Sequence, residues 1–155
     1  MRSVCLPRHP AVAYLCLVRS MTRAPFLLVA LLASTLAAPL DPSKIKDKVV
    51  IKLGENLTVQ FELRGDSLKK PKVVAHPDPK LPSMTLDFNK HGENLMLHIQ
   101  NPFPQSLRMR CLMRLRGQKG YVETNILSIP AKLGDFEGWR DPIKELVLFE
   151  FRLSK

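Results

Sequence analysis

Four arginines at alternating positions are the residues best placed for chemistry in this chain. In LRMRCLMRLR, residues 107–116, Arg108, Arg110, Arg114 and Arg116 alternate with Leu107, Met109, Cys111, Met113 and Leu115. A strand sends successive side chains to opposite faces, so one face is apolar and the other largely cationic. Residues two apart on one face stand about 7 Å from each other. Guanidiniums at that spacing form a positive stripe, broken by Leu112 and extended at the next turn by Lys119. The chemistry open to it is recognition, because a polyanion or an acidic protein surface laid along the sheet would meet one charge after another. Tyr121 is the one aromatic neighbour, which leaves no platform for base stacking and argues against nucleic acid. The competing reading is a solvated face balanced by acids on adjacent strands, such as Glu123.

A second candidate is LGDFEGWR, residues 133–140, with Phe136 between Gly134 and Gly138 and the single tryptophan, Trp139, directly after them. Aromatics on a glycine-hinged loop can anchor a protein or a sugar. Alternatively, Trp139 plugs an open end of the core.

Catalytic signatures are missing. There is no Gly-x-Ser-x-Gly elbow, glycine-rich phosphate loop, His-Glu-x-x-His or Cys-x-x-Cys. His76, His91 and His98 have no partner at metal-ligand spacing. Cys111 belongs to the apolar set, away from its flanking arginines, and reads as a buried, inert thiol. The expectation is therefore no catalytic residue, no metal site and no cofactor.

The elements that position these residues all read as strands. Val49–Leu53 and Leu57–Leu63 flank Gly54-Glu55-Asn56 and are expected to form a hairpin with Leu53 opposite Leu57 and Ile51 opposite Val59. Arg64–Lys72 reads as polar connection, with a short strand at Val73–Ala75. Met84–Phe88 and Leu95–Ile99 alternate and form a second hairpin. Asn101-Pro102-Phe103-Pro104 turns the chain into the arginine strand. Gly117–Gly120 then closes a third hairpin, with Arg114 expected opposite Glu123 and Cys111 opposite Ile126. Residues 130–142 read as a long connection, and Lys144–Leu153 as the last strand, with Val147, Phe149, Phe151 and Leu153 on one face. Seven or eight short strands with turn signals between them predict an all-β fold, an antiparallel two-sheet sandwich of immunoglobulin-like type. A small β-barrel is the alternative.

The chain has 155 residues and a net charge of +10, a length that suits one folded domain. Four of its 24 Lys and Arg lie in residues 1–37, which contain no acid. The remaining 20 face all 14 acids, so residues 38–155 are moderately basic. Arg23, the apolar run Phe26–Ala33 and the small residues Thr35 and Ala37 have the order of a secretory leader, with cleavage after Ala37. Met21 would begin a leader of ordinary length and is an alternative start. The apolar run is short of the roughly 20 residues that span a membrane. Cys5 and Cys16 fall in the leader, so residues 38–155 hold Cys111 alone and no internal disulfide.

These observations predict an exported, non-enzymatic binding or accessory module, periplasmic or secreted, in a bacterial envelope. Its partner would be an envelope protein or an anionic envelope polymer. The partner-binding candidates are Arg108, Arg110, Arg114, Arg116, Lys119, Phe136 and Trp139. The alternatives are a small periplasmic hydrolase or enzyme inhibitor using residues 130–142, and a structural subunit.

Overall fold

The computed structural model describes residues 40–154; the expected leader, with Met21, Cys5 and Cys16, lies outside the described residues. Among these, the fold is all-β and antiparallel. Its strands are β1 (Val49–Lys52), β2 (Glu55–Arg64), β3 (Ser67–Val74), β4 (Ser83–His91), β5 (Asn94–Gln100), β6 (Ser106–Leu115), β7 (Val122–Thr124), β8 (Gly134–Trp139) and β9 (Ile143–Ser154). A single 3-10 turn, Pro42–Lys44, precedes them, capped by Asp41.

The strands join in one sheet of order β7-β6-β9-β3-β2-β4-β5-β8, with β1 also paired to β9. The sheet curls into a half-barrel around its apolar face. Its two outermost strands, β7 and β8, meet across the opening through side chains. Trp139 Nε1 donates to Thr124 Oγ1 at 3.2 Å, and the Leu127 N–H donates to Glu137 Oε1 at 2.7 Å. The pairing thus gives one continuous curled sheet, compatible with the small barrel.

Alternation fills the interior. Val59 and Phe61 of β2, Met84, Leu86 and Phe88 of β4, Leu97 and Ile99 of β5, and Leu107 and Cys111 of β6 are all buried in one cluster. Phe61 meets Phe151 of β9 edge to face, with ring centroids 5.1 Å apart. The β4–β5 hairpin forms as expected, with Leu86 opposite Ile99 and Phe88 opposite Leu97. Its two-residue turn begins at Gly92, whose φ of 61° is the left-handed conformation such turns require.

Four expectations are corrected. β1 does not pair with β2 but with β9, Val49 opposite Leu148 and Ile51 opposite Leu146. The chain corners at Leu53-Gly54, whose N–H groups donate to Lys144 O and Phe88 O, so the turn links two neighbours and not one hairpin. Residues 64–72 are not a connection: Arg64 ends β2, Gly65-Asp66 turn the chain, and Ser67–Lys72 form most of β3, whose Pro71 falls where the ladder with β2 skips, opposite Phe61. Residues 130–142 contain β8, zipped to β5 from Leu95↔Trp139 to Gln100↔Gly134. Finally, β9 changes face midway. Glu150 has φ 54°, and the β6–β9 ladder skips there, from Arg108↔Arg152 to Arg110↔Phe149. Phe151 and Leu153 therefore point into the main core, while Val147 and Phe149 point outward.

Asn101 pins the loops at one end of the sheet. It is fully buried, and its amide donates to the carbonyls of Gln105, Ile129 and Pro130 while its Oδ1 accepts from the Phe103 N–H. Every hydrogen-bonding position of the side chain except one acceptor lone pair is thereby used.

Candidate functional site: the outer face of β6 and β9

The alternation of β6 places Leu107, Met109 and Cys111 inside and the arginines outside, as the sequence predicts. The outer face is not a uniform stripe. Leu112, only 1% exposed, packs with Val147 and Phe149 of β9 in a second small core covered by Ile45 and Tyr121. The leucine that interrupts the arginines is the centre of this apolar cap.

Arg110 and Arg114 flank the cap, and both are engaged. Arg110 donates to Glu123 at 2.7 Å and to Glu150 at 3.2 Å, and its guanidinium lies 5.0 Å from the Phe149 ring centroid. The hydrogen bond to Glu123 holds Arg110 above the usual arginine pKa and Glu123 below the usual carboxylate range. Arg114 bonds Glu145 at 3.1 Å and sits 5.7 Å from the Tyr121 ring centroid. The Glu145 side chain is 8% exposed and also accepts from the Tyr121 hydroxyl. Burial, followed by that bond, raises the pKa of Tyr121. The Nε of Arg114 is buried without a partner among the described residues. The register corrects the expected pairing: Leu112, not Arg114, stands opposite Glu123, and Cys111 stands opposite Thr124. Glu123 thus serves Arg110, and the arginines neutralised are two where the sequence allowed for one.

Arg108 is different. It is exposed and stands directly opposite the exposed Arg152 of β9. Among the described residues, neither is in an ion pair. Like charges directly across a ladder destabilise the sheet. Both line a groove of about 480 Å³, together with Arg110, Asn125, Leu127 and Glu150. The groove lies where β6 loses its neighbour. β7 ends at Thr124, opposite Cys111, and the chain rejoins β6 only at Ile129, which exchanges both backbone bonds with Leu107. Between those points residues 125–128 form no strand.

The remaining candidates do not join this site. Arg116 is exposed near Pro142, whose carbonyl accepts its N–H, in a separate hollow of about 220 Å³ with Lys90, Glu93, Arg140 and Asp141. Lys119 is exposed in the turn after β6. Phe136 and Trp139 lie on opposite faces of β8. Trp139 turns inward against Phe88, centroids 6.5 Å apart, and closes the core. Phe136 is 60% exposed and stacks on His98, centroids 4.3 Å apart and planes 11° from parallel. Cys111 is fully buried, and burial pushes its thiol up to about 12. Among the described residues, no three His, Cys, Asp or Glu are grouped to hold a metal ion, and no helix is long and apolar enough to cross a membrane.

Sequence reasoning missed Arg152. Arg152 carries the alternation signal of an outward residue on the last strand. What the sequence lacks is a sign that β9 lies beside β6, since the two come together across the intervening β7 and β8. No family model, curated protein or solved structure matches the chain.

Proposed function

We propose that this chain is a non-catalytic binding module, exported by the leader at residues 1–37, that engages an anionic partner in the groove bordered by Arg108 and Arg152. Architecturally, we read the curled sheet as a small open barrel and not as an immunoglobulin-like sandwich. One observation carries the functional reading: two exposed guanidiniums face each other with no acid bonded to either among the described residues, beside a groove. Folding alone would favour an acid at one of these positions, as Arg110 and Arg114 have at theirs. An anionic group between the two arginines relieves their repulsion and accepts planar, charge-assisted hydrogen bonds from both. The site is thus a two-arginine clamp instead of the four-arginine stripe.

The test is in-cell crosslinking of the tagged full chain, with mass spectrometry reading both the partner and the chain's N-terminus. The reading predicts a chain beginning at Ala38 and one dominant partner that is lost when Arg108 and Arg152 are both changed to Glu and kept when Arg116 and Arg140 are. A partner retained by Arg108→Glu/Arg152→Glu overturns the site, and a chain retaining residues 1–37 overturns export.

A further inference from the structure

The aromatic pair Phe136–His98 stands on the outer face of β5 and β8, and neither residue lines the groove of Arg108 and Arg152. β8 is the last strand beyond β5, and Phe136 lies directly opposite His98. Their rings stack, centroids 4.3 Å apart and planes 11° from parallel, so His98 backs one face of the phenyl. The other face turns away from β5, and Phe136 stays 60% exposed. Gly134 and Gly138 are its neighbours on the outer face, so no side chain flanks the ring along β8. Neither glycine has a left-handed φ, so backbone conformation does not call for them. Space does at Gly134, where a Cβ would lie 2.8 Å from His98 Nε2 and 2.8 Å from Gln100 Oε1. The polar ends of both side chains thus reach over Gly134, beside the phenyl. Among the described residues, no hydrogen bond within the chain engages either side chain. On β4, Thr85 stands opposite Gln100 and Asp87 opposite His98. Asp87, which accepts from Asn89, is the one formal charge among these residues.

We propose that the Phe136–His98 pair is the platform of a neutral-glycan site, which takes a pyranose ring with equatorial hydroxyls. Such a ring has a flat face of C–H groups, whose slight positive charge suits the negative face of a phenyl. Its hydroxyls project from the rim, where His98 Nε2 and the Gln100 amide stand beside the phenyl and can donate to or accept from them. The stack on His98 holds the phenyl in place before a ligand arrives, so less side-chain freedom is lost on binding. An anionic ligand finds no cation among these residues. An apolar peptide side chain laid on the phenyl would cover His98 Nε2 and the Gln100 amide without giving them partners. The site is separate from the anion groove and does not depend on it.

The test titrates the full ¹⁵N-labelled chain with cellohexaose and with chitohexaose, whose rings carry equatorial substituents. The proposal predicts saturable binding of one or both, with amide shifts at His98, Gln100, Gly134 and Phe136. Sugar C–H resonances should move upfield in the ring current of the phenyl. Phe136→Ala should weaken binding about tenfold and remove the upfield shift, whereas Phe136→Trp should keep both. Gly134→Ala, which displaces the polar ends of Gln100 and His98, should weaken binding about threefold or more. Arg108→Glu/Arg152→Glu should leave it unchanged, which keeps the two sites distinguishable. Binding that Phe136→Ala leaves intact, or no saturable shift with either hexasaccharide, overturns the proposal. So does a shift of the same amides with chain concentration alone that Phe136→Ala abolishes, because the pair would then be a contact between copies of the chain.

Discussion

The facing arginines make a quantitative prediction that does not require the partner. Residues opposite each other in a ladder bring their Cα atoms within about 5.5 Å, and two long side chains there splay their charged heads to about 7 Å. In water, two unit charges at that distance interact by about 0.6 kcal/mol. At physiological salt, with a Debye length near 8 Å, about 0.25 kcal/mol of this remains. That is too small for one substitution to isolate, and Arg110 and Glu150 also act on whatever replaces Arg108. A charge-reversal cycle removes this background. Arg108→Glu and Arg152→Glu each convert repulsion to attraction, and the double variant restores repulsion. The coupling is therefore four times the pair energy, about 1 kcal/mol, with the double variant less stable than the single variants sum to. Urea denaturation monitored by circular dichroism resolves it. In 1 M salt, where the Debye length is about 3 Å, the coupling should shrink to about a quarter of that value. A coupling near zero at low salt, or one that salt leaves unchanged, would refute the claim that the two guanidiniums face each other across open solvent.

Other consequences follow from the core and the seam. Replacing Asn101 by Leu takes the Asn101 partner from the Gln105 carbonyl and the Phe103 N–H, while the Ile129 and Pro130 carbonyls keep the Leu107 and Leu133 N–H groups, and should lower unfolding stability by about 2 kcal/mol or more. A loss below about 1 kcal/mol in urea denaturation would contradict its role. The folded Cys111 thiol, raised to about 12 from an ordinary 9.0, stays protonated while the unfolded thiol ionises, so its contribution is complete below pH 9 and is lost as pH rises towards 12. This adds about 1.4 kcal/mol of destabilisation per pH unit over that window, and Cys111→Ala should show a shallower alkaline slope than the parent. Trp139→Ala removes a ring packed on Phe88 and the bond to Thr124, and should cost about 3 kcal/mol or more. Phe136→Ala, on the exposed face of the same strand, should cost less than about 1 kcal/mol, and equal losses from the two would contradict the face assignment.

What the sequence conveys and what it hides can be traced to particular residues. β6 is legible because its two faces differ as much as two faces can, arginine against leucine, methionine and cysteine. The β4–β5 hairpin is legible because its apolar residues alternate on both sides of a glycine turn. β8 escapes notice because Gly134 and Gly138 occupy outward positions and its inward set is Asp135, Glu137 and Trp139, so no apolar alternation remains. β3 is hidden by Lys69, Lys70, Pro71 and Lys72, with the proline accommodated at a ladder skip that no local pattern announces. In β9, a glutamate at φ 54° reverses the parity of everything before it, and glutamate is not a residue that signals a bulge. The basic face was visible, but its organisation was not. Which arginines are neutralised depends on the β6–β9 pairing, which brings Glu150 to Arg110 and Glu145 to Arg114 across 40 and 31 residues of chain.

The most direct measurement of the central claim is a nuclear magnetic resonance titration of the ¹⁵N-labelled chain with a short oligoglutamate, repeated on Arg108→Glu/Arg152→Glu. The account predicts saturable shifts centred on Arg108, Met109 and Arg152, weakened by added salt and absent from the double variant. Shifts spread evenly over the chain's lysines and arginines, or centred on Arg116 and Arg140 and unaffected by the double reversal, would contradict it.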